Sequence, residues 1–202
     1  MPWASLLGVF KGRDIWLLVA TGICLMIVEF SLLAHFVLYM QEMLLFAVVT
    51  AGFFLVALEA GGAFGKPISG LVSDRLFRGG RKKPYILMCG LVGAVCVGFV
   101  FIQPGSPSWV ILFLSFVLGL TGIGWGGLHL TLVGEFAGRE LAGTVTAITA
   151  VFLLTGNVVG PPIFGYIVDT TGSYQRAWQL LAVLSVAAGV LLLFVREDRR
   201  KI

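Results

Sequence analysis

The chain has 202 residues, of which 58% are hydrophobic and only 12% charged, and its formal net charge is +4. A soluble domain carries about 25% charged residues because its surface faces water. The composition therefore excludes an ordinary soluble protein and predicts an all-α integral membrane protein with the lipid bilayer as its first partner.

Six stretches reach the roughly 20 apolar residues that a membrane-spanning helix needs. In chain order they are predicted at residues 15–40, 43–72, 85–101, 109–134, 141–168 and 177–195. Residues 1–14 are predicted to be a cytoplasmic N-terminal segment, and residues 196–202 a cytoplasmic basic tail. The first segment lacks the basic start and the cleavage site of a signal peptide, so the first long helix is expected to be retained.

The positions of the basic residues predict the orientation of these spans. All but two of the 14 Lys and Arg residues lie at one side of the six-span arrangement. The exceptions are Arg176, in a loop on the other side, and Lys66, within a helix. Because Lys and Arg are retained on the cytoplasmic side, both termini are predicted to be cytoplasmic. The net charge then reflects topology, and no nucleic-acid partner is expected.

The first two spans contain three ionisable residues. Glu29 and Glu59 lie near the centres of two consecutive, antiparallel helices, so their carboxylates are expected at similar depth. A charge at mid-membrane costs about 2.5 to 3.5 kcal/mol and usually faces a cavity or a partner, and burial disfavours the charged form of a carboxylate. Either residue could therefore carry a proton, or it could serve in hydrogen-bonded packing.

Lys66 follows Glu59 by two helical turns and lies on the same face. It could attract an anionic substrate. The alternative is that its long side chain reaches the lipid headgroups.

One sequence pattern occurs twice. Residues 61–74 read G-G-A-F-G-K-P-I-S-G-L-V-S-D and residues 156–169 read G-N-V-V-G-P-P-I-F-G-Y-I-V-D, and both fit G-x3-G-x-P-I-x-G-x3-D. An odd number of spans separates the copies, so they point in opposite directions across the membrane. The pattern predicts two inverted repeats of three helices, at residues 15–103 and 109–195, as in secondary transporters.

A basic loop at residues 74–84 follows the first copy. Residues 70–83 read G-L-V-S-D-R-L-F-R-G-G-R-K-K, which resembles the cytoplasmic loop signature of the major facilitator superfamily, with extra residues before the Gly-Arg pair. The resemblance marks as its conformational signature Gly70, Asp74, Arg75, Arg81 and Lys82.

The loop also has a physical interpretation. Asp74, at a helix end, could accept N–H groups from the start of a neighbouring helix. Arg75 and Arg81 could pair with carboxylates such as Glu135. For Arg78, Arg81, Lys82 and Lys83 the alternative is that they only fix the topology.

The fourth span contains Trp125 and His129, four residues apart on one face of a glycine-rich helix that is expected to pack closely and to bend. His129 is a candidate proton or substrate group. In the fifth span Asn157 precedes two prolines that could free backbone carbonyls at a cavity, or simply kink the helix. The second motif copy is predicted to mediate helix packing through Gly156, Gly160, Pro161 and Gly165.

Two further stretches carry the resemblance. Residues 160–174 resemble the eleventh helix and the following loop of bacterial members of the superfamily, and residues 10–16 resemble the end of the loop that joins its two halves. The chain is thus read as the C-terminal six-helix half, helices seven to twelve, of a transporter in the bacterial inner membrane. A facilitator moves a small solute by rocking one six-helix bundle against another, so the resemblance implies an N-terminal half or a homodimer as partner.

The last loop, G-S-Y-Q-R-A-W, resembles bacterial members that carry organic anions with protons, which implies symport of a small organic anion. The alternative is a non-transporting fragment or an accessory membrane protein that packs against another transporter half.

No other chemistry is indicated. Cys24, Cys89 and Cys96 lie in apolar stretches without metal-ligand spacing, so neither a metal nor a cofactor is expected. The sequence contains no phosphate-binding loop and no nucleophile or metalloprotease motif, and an enzyme is not predicted.

Overall fold

The computed structural model describes residues 3–196, a range that contains eight α-helices and no strand. The helices are α1 (Trp3–Lys11), α2 (Arg13–Glu42), α3 (Val48–Leu76), α4 (Lys82–Val100), α5 (Ser108–Gly122), α6 (Gly126–Ala137), α7 (Ala142–Thr171) and α8 (Tyr174–Phe194). Helices α5 and α6 together make one span, and with α2, α3, α4, α7 and α8 they give six helical segments long and apolar enough to cross a membrane. The all-α architecture with six spans confirms the predicted fold class.

The helix bounds differ from the predicted spans by one to five residues, and two differences have a clear physical reason. Helix α1 lies in the N-terminal segment, where no helix was predicted, because nine residues are too few to produce a membrane-span signal. Helix α3 begins at Val48 because the preceding turn includes Leu45 at a positive φ of 61°, which a helix does not allow. Beyond Arg196 the predicted basic tail lies outside the described residues.

The fourth span is interrupted in its middle. Helix α5 ends at Gly122, and the Gly119 carbonyl accepts the N–H groups of both Ile123 and Gly124, at 3.0 and 3.2 Å. The regular helical hydrogen bonding resumes at His129, whose backbone N donates to Trp125 O at 3.1 Å. The glycine-rich sequence thus gives a break in the helix, where the sequence analysis expected local bending.

The first motif copy packs α3 against α5. A Cβ added at Gly61 or at Gly65 would collide with the backbone carbonyls of Phe116 and Leu120, respectively. Since residue numbers rise together along both helices, the two run parallel. Small residues allow this approach of two backbones inside a membrane.

The second copy packs α7 against α2 in the same way. A Cβ at Gly156 would lie 2.6 Å from Ile23 O, and one at Gly160 would lie 2.8 Å from Ile27 O. These helices are also parallel. Because α2 and α3 are joined by a short turn and cross the bundle in opposite directions, the two motif copies point in opposite directions and the three-helix repeats are inverted.

Helices α4 and α8 pack along each other and complete the bundle. At the end away from the basic loop, Trp178 stacks on Phe99 with ring centroids 4.6 Å apart, and Tyr39 OH donates to Phe99 O at 3.1 Å. A second buried cluster around Tyr85 and Trp125 occupies the other half of the bundle. These two clusters hold the helices that carry the ionisable residues.

Helices α3 and α7 are the least buried spans. Only 33% of the most apolar stretch of α3 and 22% of that of α7 is buried, against 44% to 50% in the other spans. The two helices that carry the repeated motif therefore also present the largest uncovered faces.

Candidate functional site

Glu29 is held by a tryptophan from the break in the fourth span. The Trp125 indole Nε1 donates to Glu29 Oε2 at 3.0 Å. Glu29 is half-buried on α2, whereas Trp125 is buried between α5 and α6. A break in the helix therefore aims an N–H donor at the carboxylate.

The break also contacts α3 beside Lys66. Ser69 Oγ lies within hydrogen-bond distance of both Lys66 O, at 2.9 Å, and Gly124 O, at 3.3 Å. A Cβ added at Gly127 would lie 3.4 Å from Lys66 O. Helices α2, α3 and the α5–α6 break therefore converge at one level of the bundle.

Charged residues lie on two of the helices at this convergence: Glu29 on α2, and Glu59 and Lys66 on α3. Lys66 and Glu59 are two helical turns apart on the same face of α3. Both are exposed on the surface of this bundle, whereas Glu29 lies partly beneath it. We call Glu29, Glu59 and Lys66 the charged triad.

His129 lies in a different setting from the triad. It is 1% exposed, its Nδ1 lies 3.1 Å from Tyr85 OH, and its Nε2 has no hydrogen-bond partner among the described residues. A Cβ added at Gly22 would lie 2.9 Å from its Cε1. The side chain is thus enclosed by α2 and α4 and does not reach the surface of the bundle.

The structure does not join Asn157 to the triad. Asn157 is half-buried on α7, next to Gly156, and its side chain has no hydrogen bond in the described part of the chain. The adjacent Pro161 and Pro162 lie within α7, which continues through them. Gly165 lies farther along, where an added Cβ would be 3.3 Å from His35 Nε2.

A second polar cluster lies at the end of α3. Arg81 Nη1 donates to Asp74 Oδ1 at 2.6 Å and to Ser73 Oγ at 3.0 Å, and its Nε donates to Glu135 Oε1 at 3.3 Å. Ser73 Oγ in turn donates to Gly80 O at 3.0 Å. The expected pairing of Arg81 with Glu135 is therefore present. The partner found for Asp74 is a guanidinium group, whereas the sequence analysis expected backbone N–H groups.

Other residues of the signature have different surroundings. Lys82 Nζ donates to Leu193 O and Val195 O, at 2.9 and 2.6 Å, at the end of α8. Arg75 is exposed on the last turn of α3, and a Cβ at Gly70 would meet no described heavy atom within 4 Å. The signature residues therefore divide into a fixed network around Arg81 and an open surface around Gly70 and Arg75.

Sequence reasoning missed two polar contributors. Trp125 was considered only as a neighbour of His129, yet it is the donor to Glu29, and Tyr85 was not considered at all. The signal available in the sequence was the run of glycines around Trp125, which predicted a bend but not the direction of the indole. Tyr85 gave no signal, because its spacing from His129 becomes meaningful only once α4 and α6 pack together.

Six apolar spans in inverted three-helix repeats are the arrangement found in secondary transporters. The family model described as Major Facilitator Superfamily matches residues 1–156. The chain belongs to this superfamily. Its relatives and its fold are those of transporters and not of enzymes.

Several curated proteins are similar over most of the chain. A probable hexose phosphate transport protein of Chlamydia pneumoniae is 28% identical over 190 residues, which cover 93% of this chain and 40% of the relative. A probable galactarate/D-glucarate transporter of Escherichia coli is 27% identical over 186 residues, which cover 89% of this chain and 40% of the relative. The chain therefore spans about two fifths of the length of these relatives.

The fold is also similar to a solved structure. The crystal structure of the Escherichia coli fucose:proton symporter FucP matches with a TM-score of 0.79 at 14% identity, over 98% of this chain and 46% of that one. At this identity the match establishes the fold alone. The helices of this chain are thus arranged like a part of that structure.

Proposed function

We propose that this chain acts as the C-terminal half of a secondary transporter, which moves a small organic anion together with a proton by alternating access. The observation that carries the proposal is the charged triad at the convergence of α2, α3 and the α5–α6 break. Glu29 is the proton-carrying group, Lys66 attracts the anion, and Glu59 modulates the charge between them. The basic face of the bundle and both termini are cytoplasmic in this proposal, in a bacterial inner membrane.

The exposure of two triad members supports the need for a partner. Glu59 and Lys66 lie on the surface of the bundle, and a charge exposed to lipid at mid-membrane costs about 2.5 to 3.5 kcal/mol. A second bundle of six helices that covers this surface would place both charges at an aqueous cavity. The uncovered faces of α3 and α7 offer it an extensive contact surface.

The names of the relatives support the substrate class. Hexose phosphate and galactarate/D-glucarate are organic anions. The triad has one ammonium and two carboxylates, so protonation of one carboxylate removes its net negative charge and leaves the Lys66 ammonium able to attract an anion. In that state an anion gains a favourable electrostatic interaction, because opposite charges attract more strongly away from bulk water. Loading of the proton and of the anion would thus be coupled.

Transport requires a direct test with and without a partner. The chain would be reconstituted in vesicles alone and together with the N-terminal six helices of the Escherichia coli galactarate/D-glucarate transporter, and uptake of labelled D-glucarate would be measured. Uptake in either arm that Lys66→Gln abolishes, and that Arg139→Gln leaves unchanged as an exposed control of equal charge change, supports the proposal. Absence of uptake in both arms favours the alternative, a non-transporting fragment or accessory protein.

The proton role is tested by Glu29→Gln, which keeps the shape but removes the titration. We expect loss of accumulation driven by a pH gradient and retention of substrate exchange, since exchange need not release the proton. Glu140→Gln, which removes an exposed carboxylate outside the triad, is the matched control. If Glu29→Gln accumulates substrate with the wild-type response to the gradient, the proton is carried by another residue.

A further inference from the structure

A cleft of about 660 Å³ lies at the basic face, where α2 and α4 begin and α8 ends. Its lining includes four cationic residues from three separate parts of the chain: Arg13, Lys82, Lys83 and Arg196. The role of basic residues in membrane topology requires only that they lie on one side. It does not explain why four of them surround one cavity.

Main-chain contacts fix the position of the cleft. Lys82 and Arg13 donate to carbonyl groups of the last residues of α8, Arg13 Nη2 to Phe194 O at 3.4 Å. The backbone N–H of Arg196 donates to Asp14 Oδ1 at 3.1 Å. These bonds satisfy carbonyls that the end of a helix leaves unpaired, and they hold the three helix ends around a common opening.

The electrostatic balance of the cleft is strongly positive. Four cations line it, and Asp14 is the carboxylate that the described contacts place at its edge. The Lys83 ammonium and the Arg196 guanidinium are exposed and have no hydrogen bond or ion pair among residues 3–196. Lys and Arg donors converging in this way match the oxygens of a phosphate group.

Apolar side chains border the cations. Leu193 is 59% exposed and Phe194 56% exposed on the last turn of α8, where that span reaches the membrane surface. A free anion would gain nothing from these side chains. A ligand with a phosphate head and a hydrocarbon chain would contact the cations and the apolar border together, and basic pockets between transmembrane helices bind such headgroups.

We propose that this cleft binds an anionic phospholipid of the membrane leaflet at the basic face. Arg13, Lys83 and Arg196 bind the phosphodiester, and an acyl chain lies against Leu193 and Phe194. The bound lipid joins the start of α2 and α4 to the end of α8. This site is separate from the charged triad, so its test does not depend on transport.

The test is native mass spectrometry of the purified chain in detergent with phosphatidylglycerol or phosphatidylcholine. We expect preferential retention of phosphatidylglycerol, about fivefold weaker in Lys83→Gln and about thirtyfold weaker when Arg13→Gln is added, from the attraction of one cation to an anionic lipid. The matched control is Arg78→Gln with Arg139→Gln, which removes the same charge from exposed positions outside the cleft. Lys83→Gln is informative even if the double variant unfolds, because Lys83 makes no described contact.

Three outcomes would overturn the proposal. Equal weakening in the cleft and control variants would mean that the lipid responds to overall charge. Displacement of phosphatidylglycerol by millimolar inorganic phosphate would assign the cleft to a free anion. Retention of the lipid only after Glu197→Gln and Asp198→Asn would show that carboxylates of the chain's own tail occupy the cleft.

Discussion

The repeated motif contains glycines with opposite tolerance to a methyl group, and we predict that Gly65→Ala and Gly70→Ala have effects of opposite sign. At Gly65 the new Cβ would collide with the Leu120 carbonyl of α5, whereas at Gly70 it would meet no described atom within 4 Å. The two positions lie on the same helix and belong to the same sequence pattern. Any difference between them therefore reports the packing of α3 on α5.

The magnitude follows from two terms. Overpacking costs about 1 to 3 kcal/mol, and the upper end applies at Gly65 because a main-chain carbonyl cannot rotate away. Alanine in place of glycine within a helix recovers about 1 kcal/mol. The free energy of unfolding should fall by about 2 kcal/mol in Gly65→Ala and rise by up to about 1 kcal/mol in Gly70→Ala.

The assay is equilibrium unfolding of the purified chain in detergent, followed by circular dichroism. Gly156→Ala provides a second comparison, because it introduces a Cβ 2.6 Å from Ile23 O in the inverted copy and should resemble Gly65→Ala. Equal unfolding free energies for Gly65→Ala and Gly70→Ala would refute the reasoning, since α3 and α5 would then not be in backbone contact.

Three further predictions concern the site and the topology. Trp125→Phe keeps an aromatic ring but removes the hydrogen-bond donor to Glu29. Because a hydrogen bond to a charged group contributes about 1.5 to 3 kcal/mol, proton-driven uptake by the assembled transporter should fall about tenfold or more. Unchanged uptake would mean that Trp125 takes no part in the proton step. Asp74→Asn weakens the pair with Arg81 at the end of α3, so turnover should fall while substrate affinity, measured by equilibrium binding, holds; a wild-type transport rate would remove Asp74 from the mechanism. Single cysteines that replace Arg81 or Gln103, in a cysteine-free background, should differ in their reaction with an impermeant reagent in intact cells. Equal labelling of the two positions would contradict the predicted orientation.

The number of spans was predictable because lipid imposes it. A helix that crosses hydrocarbon must be long and apolar, and this requirement is visible in the sequence without knowledge of neighbours. The inverted repeats were predictable for a different reason: Gly61, Gly65, Gly156 and Gly160 occupy equivalent contacts with other helices, and the same contact requires the same residue. A structural requirement that acts within one segment, or that occurs twice in the chain, is therefore visible in the sequence.

The orientation of individual side chains was not predictable in this way. In a helix that is apolar on all sides, hydropathy does not distinguish the face toward a neighbour from the face toward lipid. His129 was therefore a candidate beside Glu29, and the sequence did not indicate that packing of α2 and α4 encloses it. The contact between Trp125 and Glu29 joins residues far apart in sequence and depends on the helix break, so no local pattern indicated it.

The parallel pairing of α2 with α7 has a consequence for biosynthesis. Gly160 enters the membrane roughly 130 residues after Ile27, against which it packs, a delay on the order of ten seconds at ordinary rates of translation. During that interval α2 lacks α7 along its side, and for most of it Trp125 is also absent from Glu29. A membrane insertase or the lipid itself must shelter the nascent helix until this partner arrives, so the order in which the neighbours of α2 pack against it is set by the ribosome.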